Sequence, residues 1–269
     1  MAERLQEWKG WRIEDVMVDT GLSPAASKRY LPGDEYNSVL GQAIQDVCRR
    51  GKYLVFVTSS GALLCHNAMS GYWDSALEPW TFDYVEGKRV SSSKDIRVGL
   101  TLECGTIQRT LYFHDTRKFG SLHFVDPTTL AQKLSKLGPD AMQTPRMYEH
   151  RWMHPEDMVR VFRSPKTVKE ILMDQTKIAG VGNIYASEAC WYAGISPFRV
   201  ANTLPEIGST SVLRVFLSVR SALYIALKRK LDYKGLMVYR QKECRVCKGP
   251  IRSQELKGRN TFWCPKCQE

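Results

Sequence analysis

Four cysteines near the carboxyl end constrain this chain more than any other feature of its sequence. They stand as Cys244-Arg-Val-Cys247 and Cys264-Pro-Lys-Cys267, with sixteen residues between the two pairs. Two Cys-x-x-Cys pairs at this separation are typical of a zinc ribbon, in which each pair forms a turn and the intervening chain folds as a hairpin. The sequence therefore predicts one structural Zn²⁺ ion bound by four thiolates, with no position left for water.

The segment that holds these cysteines is strongly basic. Residues 234–269 contain nine Lys or Arg against three Glu, and the whole chain has a net charge of +11. A basic hairpin folded around a metal is a common surface for nucleic acid, although it could also be a structural zinc knob with a solvated surface. The charge favours a polyanionic partner for the chain as a whole.

Membrane insertion and secretion find no support in the sequence. No apolar run approaches the roughly 18–20 residues of a transmembrane helix, and the start MAERLQEWKG lacks the apolar core of a signal peptide. Zinc thiolates beside unpaired cysteines indicate a reducing compartment, so we expect a cytoplasmic protein, associated with the nucleoid if bacterial. Four further cysteines lie in apolar segments and are expected to be buried thiols: Cys48, Cys65, Cys104 and Cys190.

The hydropathy pattern changes twice along the chain, which predicts an α+β protein of several domains. The first part alternates with a period of two, as an antiparallel β-sandwich does, and one helix is expected between Asp34 and Asp46. Apolar residues then recur at helical spacing from Pro155 to Phe162, from Pro165 to Asp174, from Ile184 to Ala193 and from Gly208 to Lys230. The predicted domains are residues 1–138, 139–233 and 234–269. The predicted strands are Tyr53–Val57, Ala62–Cys65, Leu100–Cys104, Thr110–Phe113 and Ser121–Val125.

Several segments, read in order, resemble the formamidopyrimidine-DNA glycosylase / endonuclease VIII family of base-excision enzymes. The resemblance spans roughly residues 8–268, and its most specific parts are the turn around Asn183 and the ribbon with Arg259. It implies a β-sandwich domain, a helix–two-turns–helix domain and a zinc ribbon that bind double-stranded DNA as a monomer. The segments are Arg49-Arg-Gly-Lys-Tyr-Leu54, His66-Asn-Ala-Met-Ser-Gly71, Asp115-Thr-Arg-Lys-Phe-Gly120, Leu137-Gly-Pro-Asp140, Asp174–Glu188, Ala193-Gly-Ile-Ser-Pro197 and Gly258–Gln268.

The resemblance also implies roles for individual side chains. An enzyme that attacks C1′ of a stacked nucleotide must rotate it out of the duplex, and protein atoms must fill the gap. Met69, Arg117 and Phe119 resemble the family's gap-filling residues. The residues that resemble backbone anchors are Lys52, His66, Asn183 and Arg259, with Lys166, Lys169 and Tyr239 as lesser candidates.

Taken singly, each of these residues also fits an ordinary structural role. Met69 could pack in a core and Phe119 in a sheet, while Lys52 could be a solvated strand end and Asn183 a helix cap. Their occurrence together in the family's order favours DNA contact.

The amino terminus departs from the family pattern. Relatives attack C1′ with an amino-terminal proline beside a glutamate, whereas this chain begins Met1-Ala2-Glu3 and has no proline before Pro24. If Gly10–Ile13 matches the first strand, the preceding segment is short by about ten residues, or about 15 Å of helix. Either the Ala2 amine acts as nucleophile with Glu3 beside it, or a carboxylate activates water and the enzyme leaves an abasic site. The carboxylate candidates are Glu3, Glu7, Glu14, Asp15 and Asp19.

The missing proline favours the second route, a monofunctional DNA glycosylase of the hydrolase class. A shorter amino-terminal segment would also leave room for a bulky base, such as a hypermodified pyrimidine of phage DNA, and would suit a role in defence against phage. The alternatives are a bifunctional glycosylase and lyase for oxidised bases that uses Ala2, and a catalytically inactive protein that recognises damaged DNA. A zinc-ribbon transcription or RNA-binding factor would explain the tail but not Met69, Arg117 and Asn183 in order.

Overall fold

The computed structural model describes residues 1–75, 95–144, 147–148, 151–204, 210–228 and 235–269. The chain divides into two compact units, one formed by Met1–Ser135 with Pro145–Glu149 and the other by Lys136–Thr144 with His150–Glu269. The second unit contains both the predicted helical segment and the predicted zinc ribbon. No helix within the described ranges is long and apolar enough to cross a lipid bilayer.

The first unit is the predicted β-sandwich. Its described residues form two antiparallel sheets of four strands, in the orders β1-β6-β7-β5 and β2-β3-β4-β8. Apolar side chains of both sheets, such as Phe56, Leu63, Leu100 and Phe113, pack into one buried core. The strands are β1 (Arg12–Val18), β2 (Asp46–Arg50), β3 (Tyr53–Val57), β4 (Ala62–His66), β5 (Tyr72–Asp74), β6 (Ile96–Cys104), β7 (Ile107–His114) and β8 (Ser121–Val125).

Short helices complete the first unit: a 3-10 helix (Arg4–Trp8), α1 (Pro24–Ser27), α2 (Glu35–Val39) and α3 (Pro127–Ser135). The helix expected across Asp34–Asp46 is much shorter than predicted, because the chain turns at Gly41 with φ +74°. It then runs extended beside β1, where the Ile13 amide donates to the Gln42 carbonyl at 2.9 Å and the Ile44 amide to the Trp11 carbonyl at 2.8 Å. The backbone partners offered by β1 therefore replace the helical hydrogen bonds.

The second unit is helical, as predicted. Its helices are α4 (Pro155–Phe162), α5 (Val168–Met173), α6 (Asn183–Ala193), a 3-10 helix (Ala201–Thr203) and α7 (Thr210–Lys228). Helix α5 begins later than expected because Thr167 caps it, accepting from the Glu170 amide, while the Glu170 carboxylate accepts from the Thr167 amide at 2.9 Å. Helix α6 ends at Gly194, whose φ of +66° lies in the left-handed region that glycine favours.

The carboxyl-terminal hairpin consists of β9 (Arg252–Leu256) and β10 (Arg259–Trp263). Leu256 pairs with Arg259, so the connection has only two residues, Lys257 and Gly258, and both have positive φ. This is the geometry of a type I′ turn, whose twist matches that of paired strands. The turn places Arg259 at the exposed tip of the hairpin.

Three of the four additional cysteines are buried as expected: Cys48, Cys65 and Cys190. The prediction for Cys104 is wrong, because this residue is exposed. Cys104 ends β6 beside the turn at Gly105, and a strand end at a tight turn reaches solvent although its sequence is apolar.

Candidate nucleic-acid interface

The four cysteines of the ribbon converge on one point. All four Sγ atoms lie within 4.8 Å of one another, with Cys244 and Cys267 separated by 3.8 Å and Cys247 and Cys264 by 3.4 Å. A tetrahedral Zn²⁺ ion with Zn–S bonds of about 2.3 Å requires sulfur atoms about 3.8 Å apart. The thiols therefore fit a structural zinc ion, whose role is to hold together a module with a very small apolar core of its own.

Two predicted phosphate anchors of the second unit lie side by side. Asn183 is the first residue of α6, and its Nδ2 donates to the Asn260 carbonyl at 3.1 Å, next to Arg259. Gly182 occupies the N-cap position instead, so capping the helix is not the role of Asn183. The start of α6 therefore contacts β10 one residue from Arg259, whose side chain is exposed. Backbone amides at a helix start and a guanidinium both suit an anion such as phosphate.

Lys169 differs from the surface contact that the sequence suggested. Its side chain is fully buried (0% exposed), and Nζ donates to Thr261 Oγ1 on β10 at 2.7 Å. Burial lowers the pKa of Lys169 to about 8, with a smaller lowering from the Arg259 charge. A buried ammonium has no direct access to a DNA phosphate in this structure. Its contact instead supports the strand that carries Arg259.

Tyr239 is held by a buried carboxylate that the sequence did not indicate. Glu188 of α6 accepts hydrogen bonds from the backbone amides of Met237 at 2.7 Å, Val238 at 3.0 Å and Tyr239 at 2.9 Å. The Tyr239 ring packs edge-on against Phe262 of β10, with ring centroids 5.0 Å apart. Glu188 thereby ties the segment before the ribbon to the same helix that begins at Asn183.

In the first unit, Lys52 and His66 are neighbours. Lys52 is exposed in the turn between β2 and β3, while His66 ends β4 opposite Tyr53, with the two rings 5.2 Å apart. Burial, together with the Lys52 charge, lowers the pKa of His66. The imidazole is therefore neutral at physiological pH and can either donate or accept one hydrogen bond, while Lys52 supplies the positive charge.

Met69, Arg117 and Phe119 form one exposed group, here called the Met69–Arg117–Phe119 cluster. Met69 is 69% exposed and Phe119 is 50% exposed. Arg117 lies between them, with one terminal nitrogen 3.4 Å from Met69 Sδ and its guanidinium carbon 5.0 Å from the centre of the Phe119 ring. Three large side chains left in solvent and touching one another are unusual on a monomer, and they favour a contact surface over core packing.

The loops that carry this cluster meet because of strand pairing. Strands β4 and β8 are antiparallel with His66 opposite Ser121, and β5 and β7 pair with Tyr72 opposite His114. The 67–71 loop and the 115–120 loop therefore leave the two sheets at the same end.

Asp115 and Ser70 join these loops, and sequence reasoning missed both. Ser70 Oγ donates to Asp115 Oδ1 at 2.6 Å and accepts from the Arg117 amide at 3.1 Å. Both residues stand inside the quoted motifs. Their position beside Met69 and Arg117 could therefore have indicated them. No hydrophobic periodicity distinguishes either residue.

Ala68 adopts a left-handed backbone, with φ +49°. Glycine favours this conformation, and an alanine side chain costs about 1 kcal/mol there. The 67–71 loop therefore adopts this conformation with alanine, not glycine, at position 68.

The amino-terminal residues lie against the same loop. Asn67 Nδ2 is 3.0 Å from Met1 Sδ, so the first residue contacts the loop that carries Met69. Ala2 is buried beside Leu5 and Trp8 in the sandwich core, whereas Glu3 is exposed. Burial is the main cause that lowers the pKa of the Met1 amine, and Arg4 and Arg49 add to it, while Glu3 opposes the change.

Among the other carboxylate candidates, Asp19 and Glu14 have cationic partners. Asp19 forms an ion pair with the buried Arg97 and accepts from the Gly21 amide at 2.9 Å, and Glu14 lies 3.7 Å from Arg12 Nε. A carboxylate oxygen engaged by a guanidinium is less available to bind and direct a water molecule. These contacts leave Glu3 as the better placed of the three.

Comparison with known proteins gives three consecutive family matches. They are the formamidopyrimidine-DNA glycosylase N-terminal domain over residues 1–122, its H2TH domain over 137–232, and the zinc finger found in FPG and IleRS over 241–269. The chain is 31% identical over 278 residues to the formamidopyrimidine-DNA glycosylase of Aliivibrio fischeri, covering 97% of this chain and 92% of that protein.

Solved structures agree with these matches. The MutM (Fpg) protein of Thermus thermophilus is 29% identical with a TM-score of 0.76, covering 99% of this chain and 95% of that one. A complex between the Lactococcus lactis Fpg and an abasic site containing DNA is 25% identical with a TM-score of 0.78, covering 100% and 96%. The chain therefore belongs to the formamidopyrimidine-DNA glycosylase family, and it is a DNA N-glycosylase with a structural zinc site.

Proposed function

We propose that this protein excises a modified base from double-stranded DNA after rotating the nucleotide out of the stack. The observation that carries the proposal is the Met69–Arg117–Phe119 cluster. A flexible thioether, a cation and an aromatic ring stand together in solvent, and these are the groups needed to fill a gap, to bond an unpaired base and to wedge between stacked bases.

The remaining polar groups suit contacts with the phosphate backbone of the duplex. In the first unit these are Lys52 and His66, and in the second Asn183, Tyr239 and Arg259. Contacts of this kind fix position and carry no sequence information. An enzyme that must search long DNA for a rare base needs this combination, with sequence-independent anchors and one point of insertion.

For the chemical step we propose hydrolysis, in which a carboxylate directs water to C1′ and the product is an abasic site. The support is that Glu3 is exposed, whereas Ala2, whose amine would otherwise attack C1′, is buried beside Leu5 and Trp8. The C1′–N bond breaks, water supplies the new C1′–O bond, and the base leaves with a proton.

A second route is favoured by the position of the amino terminus. If the mature chain begins at Ala2, its primary amine begins the segment whose present first residue, Met1, contacts Asn67 through its side chain. An α-amine has an ordinary pKa of about 8, so part of it is neutral and nucleophilic at physiological pH. This amine would bond to C1′ while the C1′–N bond to the base breaks and the base leaves with a proton. Opening of the sugar ring would then give an imine, and loss of a C2′ proton would expel the 3′ phosphate and break the strand.

We further propose that the base is bulkier than an oxidised purine, for example a hypermodified pyrimidine of phage DNA, and that the enzyme acts in defence. The support is that the residues described before β1 fold as a single 3-10 helix of five residues (Arg4–Trp8). A helix of this length fills less volume beside an extruded base than a long helix would.

One experiment separates these proposals. Purified protein is incubated with duplexes that each carry one modified base, including oxidised purines and bulky modified cytosines, and strand breaks are scored directly and after hot alkali. Breaks that need alkali support hydrolysis. Direct breaks with a borohydride-trapped adduct support the amine, and intact-mass measurement then tests whether Ala2 is terminal. Release of oxidised purines alone would overturn the bulky-base proposal, and tight binding with no base release would indicate a recognition protein.

A further inference from the structure

We propose that Asp115 is the positioning residue that holds the Met69–Arg117–Phe119 cluster in its inserting arrangement, with Ser70 as its link to both loops. The inference rests on the proposed function, since it concerns how the gap is filled. Asp115 itself is fully buried, so it would act through the side chains that it holds.

The Asp115 carboxylate is bonded on both of its oxygens. Oδ1 accepts from Ser70 Oγ at 2.6 Å, while Oδ2 accepts from the Gly120 amide at 2.6 Å and from the Tyr30 hydroxyl at 2.9 Å. Its donors therefore come from the 67–71 loop, from the end of the 115–120 loop and from the sandwich core. One carboxylate ties all three together.

Ser70 extends this link to the cluster. Its hydroxyl donates to Asp115 and accepts from the Arg117 amide at 3.1 Å, so a single oxygen bridges the two loops. Met69 precedes Ser70 directly in the chain, and Arg117 follows Asp115 by two residues. These two bonds hold the backbone at Arg117 close to Ser70, and so keep the side chains of Met69 and Arg117 within reach of each other.

Close packing at two glycines limits the conformations that the 67–71 and 115–120 loops can adopt. A Cβ added to Gly120 would lie 2.8 Å from Asp115 Oδ2 and 2.9 Å from the His66 carbonyl, and one added to Gly71 would lie 2.5 Å from the Asn67 carbonyl. The close neighbours of Gly71 belong to its own loop, and those of Gly120 include the His66 backbone at the end of β4. Glycine therefore permits the tight turn of the 67–71 loop and the close approach of Gly120 to β4.

A buried carboxylate keeps its donors because an unpaired charge away from water is costly. The Tyr30 hydroxyl remains such a donor, since burial and the Asp115 charge raise its pKa. The arrangement thus exists before DNA arrives, and the cluster need not be ordered when the nucleotide leaves the stack. Preorganisation of this kind lowers the entropic cost of insertion.

The test uses Ser70→Ala, which removes the bridging hydroxyl and leaves Asp115 in place. Ser70→Thr restores a hydroxyl. The matched control is Ser59→Ala, because Ser59 Oγ donates to Gln42 Oε1 at 2.8 Å in the turn before β4, at the other end of that strand. The probe is a duplex with a stable abasic-site analogue and a neighbouring 2-aminopurine, whose fluorescence rises when the cluster inserts and unstacks it. This readout needs no excision.

We expect Ser70→Ala to reduce the fluorescence rise at saturating protein and to slow single-turnover excision about tenfold, as for loss of one hydrogen bond to a charged group. Ser70→Thr should recover most of both signals, and Ser59→Ala should match the wild type. In a Met69→Ala background, Ser70→Ala should have little further effect on the fluorescence, because it acts through Met69.

The outcomes separate this inference from the proposed function. A wild-type protein that binds the probe without any fluorescence rise would refute gap filling itself, and the inference with it. A normal wild-type rise that is unchanged by Ser70→Ala would refute only the positioning role. Equal losses in Ser70→Ala and Ser59→Ala, or losses that add fully in the Met69→Ala background, would also overturn it, because they would reflect general destabilisation.

Discussion

Replacing Lys169 with methionine should remove a pH dependence of stability that the wild-type protein has above neutral pH. The Lys169 ammonium is fully buried and is held by the Thr261 hydroxyl at 2.7 Å. Burial lowers its pKa from an ordinary 10.5 to about 8. Methionine has nearly the same length and no charge, so Lys169→Met tests the charge with little change in packing.

The sign of the effect follows from proton linkage. Between pH 8 and 10.5 the unfolded chain retains the Lys169 proton while the folded protein has lost it. Because the unfolded state then binds more protons, the free energy of unfolding rises with pH across this window. The full difference in pKa corresponds to at most about 3 kcal/mol. Below pH 8 Lys169 is charged in both the folded and the unfolded state, so it adds no pH dependence to the free energy of unfolding there.

The assay is urea denaturation followed by tryptophan fluorescence from pH 7 to 10.5 in the presence of zinc. The quantity of interest is the unfolding free energy of the wild type minus that of Lys169→Met, in which the other titrating groups cancel. Lys166→Met is the matched control, since Lys166 is half exposed and lies 3.4 Å from Asp174. The Lys169 difference should rise by about 2–3 kcal/mol across the window, and the Lys166 difference should stay nearly flat. A flat Lys169 difference would refute the account of a buried, destabilised ammonium.

Three further predictions concern the ribbon and the loops. Arg259→Ala should reduce the magnitude of the slope of log DNA affinity against log salt concentration by about one, as expected for one lost phosphate contact. Lys169→Met should leave this slope unchanged, and equal slopes for the two variants would contradict the assignment of Arg259 to a phosphate contact. Gly120→Ala places a methyl group 2.8 Å from Asp115 Oδ2. It should reduce the unfolding free energy by about 1–3 kcal/mol, measured by urea denaturation. An unchanged midpoint would show that the loops can rearrange to accommodate the methyl group. Removal of zinc by a chelator should unfold the β9–β10 hairpin and weaken binding to undamaged duplex DNA, and adding Zn²⁺ should restore both. Retention of full affinity without zinc would argue against a role for the ribbon in binding.

Prediction from sequence was most successful where a local residue pattern reports directly on burial or on metal binding. Strand β3 and helix α4 have the predicted bounds, since alternation and helical spacing report directly on which faces are buried. The zinc site was equally predictable, because four thiolates at ribbon spacing have few other uses. The helix expected after Asp34 was predicted too long. The chain that follows it forms hydrogen bonds with β1 instead, and β1 is distant in the sequence.

The site was predictable only in part, for the same reason. Family resemblance pointed to Met69 and Arg117, and the structure brings them together. The residue that joins their loops, Asp115, has no pattern of its own, because its donors come from Tyr30, Ser70 and Gly120. The resemblance also gave Lys169 as a lesser candidate for DNA contact, whereas the structure buries it. Burial under a distant strand cannot be read from local sequence.

The most direct test of the central claim compares excision from duplex and from single-stranded DNA by the wild type and by Arg117→Ala. The substrate is the modified base that the wild type releases most readily, measured in single-turnover reactions. If the Met69–Arg117–Phe119 cluster fills the gap left by the base, Arg117→Ala should slow excision from the duplex about a hundredfold, within the range for loss of a buried charged contact. Excision from the single strand should be almost unaffected, because no gap forms there. Equal losses on both substrates, or a wild-type protein that releases no base from either, would contradict the account.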